Sequence, residues 1–143
     1  MNEHWTDRMA CRELIERSAR CVDDGDARAF AELFTENAIL VRPSGQALQG
    51  REAIFQTYAG RPPERITRHL VCNVVITLDA IDRASARSDV LFWSGSANAA
   101  DSPSGRPADA RQLVGAFADT LVRGTDGGWR IQRREASFVL YSA

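Results

Sequence analysis

The spacing of apolar residues changes about halfway along the chain, and this change constrains the fold more than any other feature of the sequence. As far as residue 60 they recur every three or four positions, as in amphipathic helices, whereas from residue 67 they follow the two-residue period of strands. The pattern predicts helices at 6–22, 27–34 and 51–58 and strands at 38–41, 67–78, 84–94, 111–123 and 129–141. Helices followed by long antiparallel strands indicate an α+β fold, in which a strongly bent sheet leaves a pocket against the helices.

Size and charge exclude several classes of protein. The 143 residues fit one domain, 1–143, and no apolar run is long enough to cross a bilayer. A net charge of −1 lacks the broad attraction that nucleic-acid binders carry. The N-terminal residues, Met1 to Trp5, show no basic-then-apolar secretory pattern. We therefore expect a cytoplasmic protein that binds neither nucleic acid nor membrane.

The sequence indicates no metal and no cofactor. The three cysteines, Cys11, Cys21 and Cys72, form no CxxC motif, and no Cys/His cluster has the spacing of metal ligands. Glycine-rich phosphate loops and a serine nucleophile elbow are also absent from the sequence. We expect the cysteines to be small buried apolar residues in a reducing compartment.

Pairing in the two predicted hairpins indicates which strand residues share a face. Centring the last hairpin on its glycine-rich turn places Asp119 opposite Arg133, which predicts a structural ion pair, and the neighbouring Arg134 is expected on a solvated face. In the preceding hairpin His69 falls opposite Trp93, and the even-numbered positions form a dry face. Since both sheet faces are partly apolar, we expect a homodimer or higher homo-oligomer through the sheet. Parity alone does not decide which face lines the pocket, and a β-bulge would reverse it.

Histidine is the side chain best suited to acid–base chemistry near neutral pH, and the chain has two. His4 lies near the terminus, in a segment expected to be flexible, whereas His69 lies near the start of a long strand. A lone strand histidine is often structural, but a carboxylate that holds it favours catalysis. Asp23 is the best candidate because it ends an apolar helix, although a solvated joint also explains it. Such a carboxylate accepts the Nδ1 proton and makes Nε2 more basic.

Five short strings, taken together, resemble a known family. They are CVDDGD at 21–26, AELFTENA at 31–38, GREAI at 50–54, RHLVCN at 68–73 and GGWRI at 127–131. In this order and spacing they resemble the SnoaL-like branch of the nuclear-transport-factor-2-like superfamily, over nearly the whole chain. The resemblance implies a cone-shaped α+β fold, whose curved, mixed or antiparallel sheet wraps around three helices and leaves a small-molecule cavity.

Within this superfamily, scytalone dehydratase and lindane dehydrochlorinase are similar in having an aspartate at the end of the first helix and a histidine on the first long strand. Asp23 and His69 stand at the matching positions. The resemblance implies that His69 points into the cone beside Asp23, and that Asn73 donates a hydrogen bond to the substrate or supports His69. The aromatic candidates for the pocket wall, each of which core packing also explains, are Phe30, Phe34, Tyr58, Trp93 and Phe117.

The resulting hypothesis is a cofactor-independent lyase or isomerase, similar to dehydratases and dehydrohalogenases, that acts on a small apolar or polycyclic substrate. The alternative is a non-catalytic small-molecule-binding protein or an accessory subunit of the same fold. Two differences from scytalone dehydratase favour the alternative: Val22 replaces a tyrosine, and Ala116, Phe117 or Ala118 stands where a second histidine lies. A third hypothesis, an interaction module, predicts an exposed apolar sheet face and no cavity.

Overall fold

The computed structural model describes residues 3–143, which form three helices and one six-stranded mixed sheet. The elements are α1 (Glu3–Asp23), α2 (Ala27–Glu32), β1 (Phe34–Val41), β2 (Ala47–Gln49), α3 (Arg51–Ala59), β3 (Arg65–Ala80), β4 (Arg83–Ser96), β5 (Leu113–Arg123) and β6 (Trp129–Tyr141). The strand order is β2-β1-β6-β5-β4-β3, with β1 and β6 parallel and the other neighbours antiparallel. The predicted α+β fold is confirmed. The sheet is not closed into a barrel and has β2 and β3 as its edges.

The apolar stripe predicted on α1 provides one side of the core. Cys11, Ile15 and Ser18 have no exposed surface, and the first two belong to the same buried cluster as Phe30 of α2 and Ile131 of β6. Burying an apolar side chain of this size contributes about 1.5–3 kcal/mol. The stripe therefore fixes α1 against the sheet, with the end of the helix beside β3.

The joint between α1 and α2 follows the prediction. Gly25 adopts a φ of +73°, which glycine tolerates best, and Asp26 caps α2 by accepting a hydrogen bond from the Ala29 N–H at 3.0 Å. This turn ends α1 at Asp23, and the side chain of Asp23 faces β3.

The boundary between α2 and β1 was predicted wrongly. The helix ends at Glu32, and Phe34, which the sequence pattern assigns to the helix, is already paired with Ile131 in the parallel ladder between β1 and β6. Phe34 has no exposed surface. Its strand conformation depends on a partner almost a hundred residues away, and no local pattern reports such a partner.

A β-bulge in β3 changes the predicted pairing with β4. Asn73 has a φ of +52° and is the one non-glycine residue with positive φ in the described part of the chain. On the turn side of the bulge the pairs follow the prediction, but beyond it His69 pairs with Phe92 and not with Trp93. A register counted from the turn does not include the extra residue of a bulge, so the prediction was wrong by one position.

The bulge also reverses which residues of β3 face the helices. Before it, Thr67 and His69 face inward, and after it Ile76 packs against the core. The predicted dry face of even-numbered residues is confirmed for Ala84, Ala86 and Val90 of β4 and for Ile76 of β3. It is wrong for β3 on the far side of the bulge, where Leu70 lies on the outer face and is 52% exposed. Trp93 of β4 is also exposed.

A second bulge, in the last hairpin, corrects another pairing. Leu121 faces Ile131 as predicted, but the register then shifts and places Asp119 opposite Arg134 instead of Arg133. Arg134 is only 3% exposed, so the expectation of a solvated arginine at this position was wrong. The buried guanidinium of Arg134 on β6 therefore points towards α1, where it contacts Ser18.

Other expectations concern the N-terminus and the cysteines. His4, expected in a flexible segment, lies in α1 with an exposed side chain, and residues 1 and 2 lie outside the described part. No described helix is both long and apolar enough to span a membrane. Cys11 and Cys21 are buried as expected, whereas Cys72 is only half-buried. The cytoplasmic location stays a prediction.

Candidate active site

Asp23 and His69 lie side by side, one at the end of α1 and the other on the inner face of β3. The ring nitrogen Nδ1 of His69 lies 2.6 Å from Asp23 Oδ1, and the backbone N–H of His69 donates to Asp23 Oδ2 at 2.8 Å. The Thr67 hydroxyl donates to Asp23 Oδ1 at 2.9 Å. One strand thus holds both carboxylate oxygens and fixes their orientation.

These contacts keep the Asp23 carboxyl ionised. The side chain is 4% exposed, and burial alone would raise its pKa. The hydrogen bonds from the His69 ring and backbone, the charge of His69 and the Thr67 hydroxyl outweigh burial, so the pKa of Asp23 lies below its ordinary value of 3.8. An ionised carboxylate at this position stabilises a positive charge on the imidazole.

The hydrogen bond to Asp23 decides which nitrogen of His69 is able to act as a base. A carboxylate only accepts hydrogen bonds, so Nδ1 carries the hydrogen of the neutral ring and Nε2 keeps its lone pair. The ring packs against Phe92, with 4.8 Å between centroids, and its side chain is 20% exposed. Nε2 is therefore the nitrogen suited to accept a proton.

His69 lines a cavity of about 660 Å³ between the helices and the sheet. This volume lies within the range of small-molecule sites. Most of the deep wall is apolar, with buried apolar side chains from α1, α2, β1 and β4. The buried polar groups in it belong to Ser18, Thr67 and Arg134. Apolar walls with a few fixed polar groups suit a largely apolar ligand that carries one or two polar atoms.

Three of the predicted wall residues line this cavity, namely Phe30, Tyr58 and Phe117. The rings of Phe30 and Tyr58 are 4.5 Å apart between centroids. Burial raises the pKa of the Tyr58 hydroxyl, although Arg42 and Arg134 act in the opposite direction. Tyr58 therefore stays protonated at neutral pH and is able to donate a hydrogen bond.

The other three predicted substrate contacts do not line the cavity. Phe34 lies behind the wall and packs edge-on against Phe30, with 5.1 Å between centroids. Trp93 lies on the outer face of β4 and is exposed, and the β3 bulge turns His69 to the opposite, inner face. Asn73 lies at the bulge itself, where its side-chain amide donates to Asp89 at 2.9 Å. The assignment of Phe34 and Trp93 to the cavity wall was wrong, whereas a hydrogen bond from Asn73 to the substrate stays a prediction.

Arg134 is the cavity residue that the sequence analysis missed. Its guanidinium donates to both carboxylate oxygens of Asp119, at 2.7 and 3.0 Å, and to the Ser18 hydroxyl at 2.9 Å. It also lies 4.0 Å from the centre of the Phe117 ring. A guanidinium has five N–H groups, so two remain for a ligand in the cavity. The sequence carries half of the signal: Asp119 is the one charged residue within the apolar stretch 113–122, whereas Arg134 stands between Arg133 and Glu135, and nothing in the pattern selects it as the partner.

The described residues provide no cluster of ligands for a metal. No group of three or more His, Cys, Asp or Glu side chains within this part of the chain could hold a metal ion. His69 and Asp23 together supply fewer protein ligands than the three or four typical of zinc sites.

The family of the chain follows from its sequence. A family model described as the SnoaL-like domain matches residues 3–135. The chain belongs to the SnoaL-like domain family. None of the curated proteins matches this SnoaL-like chain with statistical significance.

Solved structures share the SnoaL-like fold at low sequence identity. A scytalone dehydratase-like protein from Novosphingobium aromaticivorans has a TM-score of 0.81 at 24% identity, covering 97% of this chain and 88% of its own. Hexachlorocyclohexane dehydrochlorinase (LinA) type 2 has a TM-score of 0.80 at 16% identity, covering 97% and 89%. An NTF2-like protein with a cystatin-like fold from N. aromaticivorans has a TM-score of 0.73 at 26% identity, covering 94% and 83%. These similarities establish the fold.

Proposed function

We propose that this SnoaL-like protein is a lyase or isomerase that removes a proton from a carbon atom of a small, largely apolar molecule. His69 is the general base and Asp23 its charge partner. The observation that carries the proposal is the 2.6 Å contact between His69 Nδ1 and the buried Asp23 carboxylate, on the wall of a cavity. General base catalysis needs a positioned base with access to the substrate, and this arrangement meets both conditions.

The proposed step moves one proton and one electron pair. Nε2 of His69 takes a proton from a carbon that lies α to a carbonyl or β to a leaving group. The C–H electron pair then forms an enolate, or forms a C=C bond while the leaving group departs with its own bonding pair. Asp23 stays ionised and stabilises the imidazolium, as the carboxylate of a catalytic triad does. The step uses only side chains of this protein.

Arg134 supplies the group that balances the negative charge which develops on the substrate. Its two remaining N–H groups are available to an enolate oxygen or a departing anion in the cavity. Asp119 and Ser18 hold the guanidinium in place before the substrate binds, so little reorganisation is needed during the reaction. The base and the cation then act on the same substrate from the walls of one cavity.

The comparisons support the reaction class. Two structural neighbours are a scytalone dehydratase-like protein and a hexachlorocyclohexane dehydrochlorinase, and both names denote the elimination of a small group. A carbon–hydrogen bond breaks in both kinds of elimination, and a base that accepts the proton serves either. At identities of 24% and 16% these similarities establish the fold, so the reaction class is part of the proposal and the substrate is not indicated.

A substrate screen tests the proposal. Polycyclic and phenolic ketones, alcohols and halides are incubated with the protein, and mass spectrometry detects the loss of water or of hydrogen halide. His69→Gln should lower the rate by roughly 10²–10⁴-fold, the usual contribution of a general base. His4→Gln, which changes the exposed histidine of α1, is the matched control and should leave the rate unchanged. Equal rates in the His69→Gln variant and the unmodified protein would exclude this mechanism.

The second candidate function is the binding of a small molecule without catalysis. Two differences from scytalone dehydratase near the site favour it. Val22 stands where scytalone dehydratase is expected to carry a tyrosine, and Ala116, Phe117 or Ala118 stands where it is expected to carry a second histidine. Of these residues, Val22, Ala116 and Phe117 line the cavity. The two functions differ in a simple readout. A binding protein retains its ligand unchanged, with the same affinity in the His69→Gln variant.

We further propose that two or more copies associate through the outer face of the sheet. Leu70 and Leu91 pair across β3 and β4 and are 52% and 43% exposed, and the exposed Trp93 lies two positions further along β4. An apolar surface that spans adjacent strands is typical of an interface. Leu91→Lys should convert the oligomer to a monomer in light scattering, whereas Ile81→Lys, at the exposed hairpin turn, should not. A wild-type protein that is monomeric at high micromolar concentration contradicts this proposal.

A further inference from the structure

The mouth of the cavity carries positive charge that the proposed reaction does not use. Arg42, Arg61 and Arg65 line the cavity at its partly exposed rim. Among the described residues that line it, none is Asp or Glu. None of the three arginines forms an ion pair with a carboxylate within the described part of the chain. The rim therefore presents three cations without local neutralisation.

Arg61 is held in position by groups that leave its charge intact. Its Nη1 donates to the Val22 carbonyl at 2.6 Å, and its Nη2 donates to the Arg65 carbonyl at 2.8 Å. Backbone carbonyls fix the direction of the guanidinium but do not cancel its charge, and three of its five N–H groups remain. Burial and the neighbouring charges of Arg65 and Arg68 lower the pKa of Arg61 and outweigh the opposite effect of Asp23.

Asp23 is the carboxylate whose charge acts on Arg61, but it forms no ion pair with any of the three arginines. Its two carboxylate oxygens accept three hydrogen bonds from Thr67 and His69. That carboxylate is committed to the imidazole, and the rim cations still lack a counterion of their own.

The strand geometry sets the distance between the rim and the base. Arg65, Thr67 and His69 alternate along the inner face of β3 and all line the cavity. The backbone positions of Arg65 and His69 are about 13 Å apart along the strand, but their side chains converge on Phe92, so the guanidinium and the imidazole are at most about 11 Å apart. The ring of Phe92 lies between the two ends, 6.0 Å from the Arg65 guanidinium and 4.8 Å from the His69 ring. A flat apolar body fits along Phe92 between a charged end and the base.

We propose that the substrate is an aromatic or polycyclic carboxylic acid, whose carboxylate binds Arg61 and Arg65 at the mouth while its apolar body lies against Phe92. Arginine pairs with carboxylates through two parallel hydrogen bonds, and Arg42 adds a further positive charge across the mouth. The placement of the reacting carbon at His69 rests on the proposed function, whereas the carboxylate site does not depend on it.

Calorimetric titration with matched probes tests the carboxylate site. The probes are benzoate, 2-naphthoate and anthracene-2-carboxylate, each compared with its neutral amide of the same shape. At least one acid should bind roughly tenfold or more tightly than its amide, since hydrogen bonds to a charged group are the stronger ones. Added salt should weaken binding of the acid and leave binding of the amide unchanged.

Variants identify which arginines are responsible for the preference for the acid. Arg65→Gln, an exposed change that leaves the packing intact, should remove most of the preference for the acid, and Arg61→Gln should do the same. Arg83→Gln removes an equal charge from the far end of the β3–β4 hairpin and should leave the preference unchanged. The proposal is overturned if no acid binds more tightly than its amide, including the case in which nothing binds, or if the preference survives in an Arg61→Gln/Arg65→Gln variant.

His69→Gln separates this inference from the proposed function. The acid preference should persist in that variant, because the anion binds to the rim and not to the imidazole. Loss of the preference in His69→Gln overturns the inference. A protein that prefers acids but turns over none of them contradicts the proposed reaction alone.

Discussion

Asp23 and His69 are 46 positions apart in the sequence, yet their side chains meet at 2.6 Å where the end of α1 faces the inner side of β3. The contact gives the helix end and the strand a shared polar group inside an otherwise apolar layer. It also places a base with a defined tautomer on the wall of a cavity. Both the stability and the proposed chemistry of the protein therefore depend on the same pair.

The stability that Asp23 contributes should depend on pH in a defined direction. Because its pKa in the folded protein lies below the ordinary value of 3.8, the ionised carboxylate stabilises the fold above about pH 4. That contribution is lost as the pH falls through the folded-state pKa. Asp23→Asn should lower the free energy of unfolding by roughly 1–3 kcal/mol at pH 7, and by progressively less below pH 4.

Urea unfolding at pH 7, 5, 4 and 3 measures this difference. Asp24→Asn, at the next and exposed position, is the control and should change the free energy of unfolding by less than about 0.5 kcal/mol at pH 7. A constant difference between Asp23→Asn and wild type across the whole range contradicts the assignment of a depressed pKa to Asp23.

The buried pair of Asp119 and Arg134 should be far more important for stability than an exposed pair on the same strands. Its side chains are 1% and 4% exposed, so Asp119→Ala leaves a buried guanidinium without its counterion and should cost roughly 3–5 kcal/mol. Glu135→Ala breaks the exposed 2.7 Å pair with Arg133 and should cost less than about 1 kcal/mol. Denaturant unfolding compares the two variants.

A double substitution tests whether the unpaired charge causes the loss of stability in Asp119→Ala. Asp119→Leu/Arg134→Met replaces both charges by apolar groups of similar size and should recover most of the lost stability, because no unpaired charge remains. If Asp119→Ala and the double variant are equally unstable, packing and not the unpaired charge is responsible.

The three thiols should differ in reactivity in the folded protein. Burial, together with Asp7, raises the pKa of Cys11 to about 12, and burial also raises the pKa of Cys21. The thiolate is the reactive form, so both should resist iodoacetamide at pH 8, whereas the half-buried Cys72 should be alkylated first. Peptide mapping by mass spectrometry gives the order. Labelling of Cys11 before Cys72 without prior unfolding contradicts the described packing of α1.

The sequence was sufficient to predict the class of fold and the positions of most helices and strands. The long strands of the second half carry their own signal, since the period of two persists over more than ten residues, and the Gly25 joint has a local cause in its φ of +73°. The contact between Asp23 and His69 also follows from the sequence interpretation. The catalytic role of this pair stays a proposal.

The strand pairings that the sequence analysis predicted wrongly depend on two β-bulges. A single extra residue at Asn73 turns His69 to the inner face, opposite to that of Trp93, and the bulge in the last hairpin turns Arg134 inward to meet Asp119. Neither bulge has a local sequence pattern as strong as a glycine turn, because Asn73 tolerates its φ of +52° without requiring it. The buried position of Arg134 in the candidate site could therefore not be predicted from the sequence pattern.

Exchange of deuterium from solvent into carbon tests the central claim most directly. A ligand that binds the cavity and carries an acidic C–H bond is incubated in D2O with wild type, His69→Gln and Asp23→Asn, and mass spectrometry follows the incorporation. Wild type should introduce one deuterium at a single carbon, His69→Gln should be slower by roughly 10²–10⁴-fold, and Asp23→Asn should also be slower than wild type. Incorporation by His69→Gln at the wild-type rate would show that the imidazole beside Asp23 is not the base.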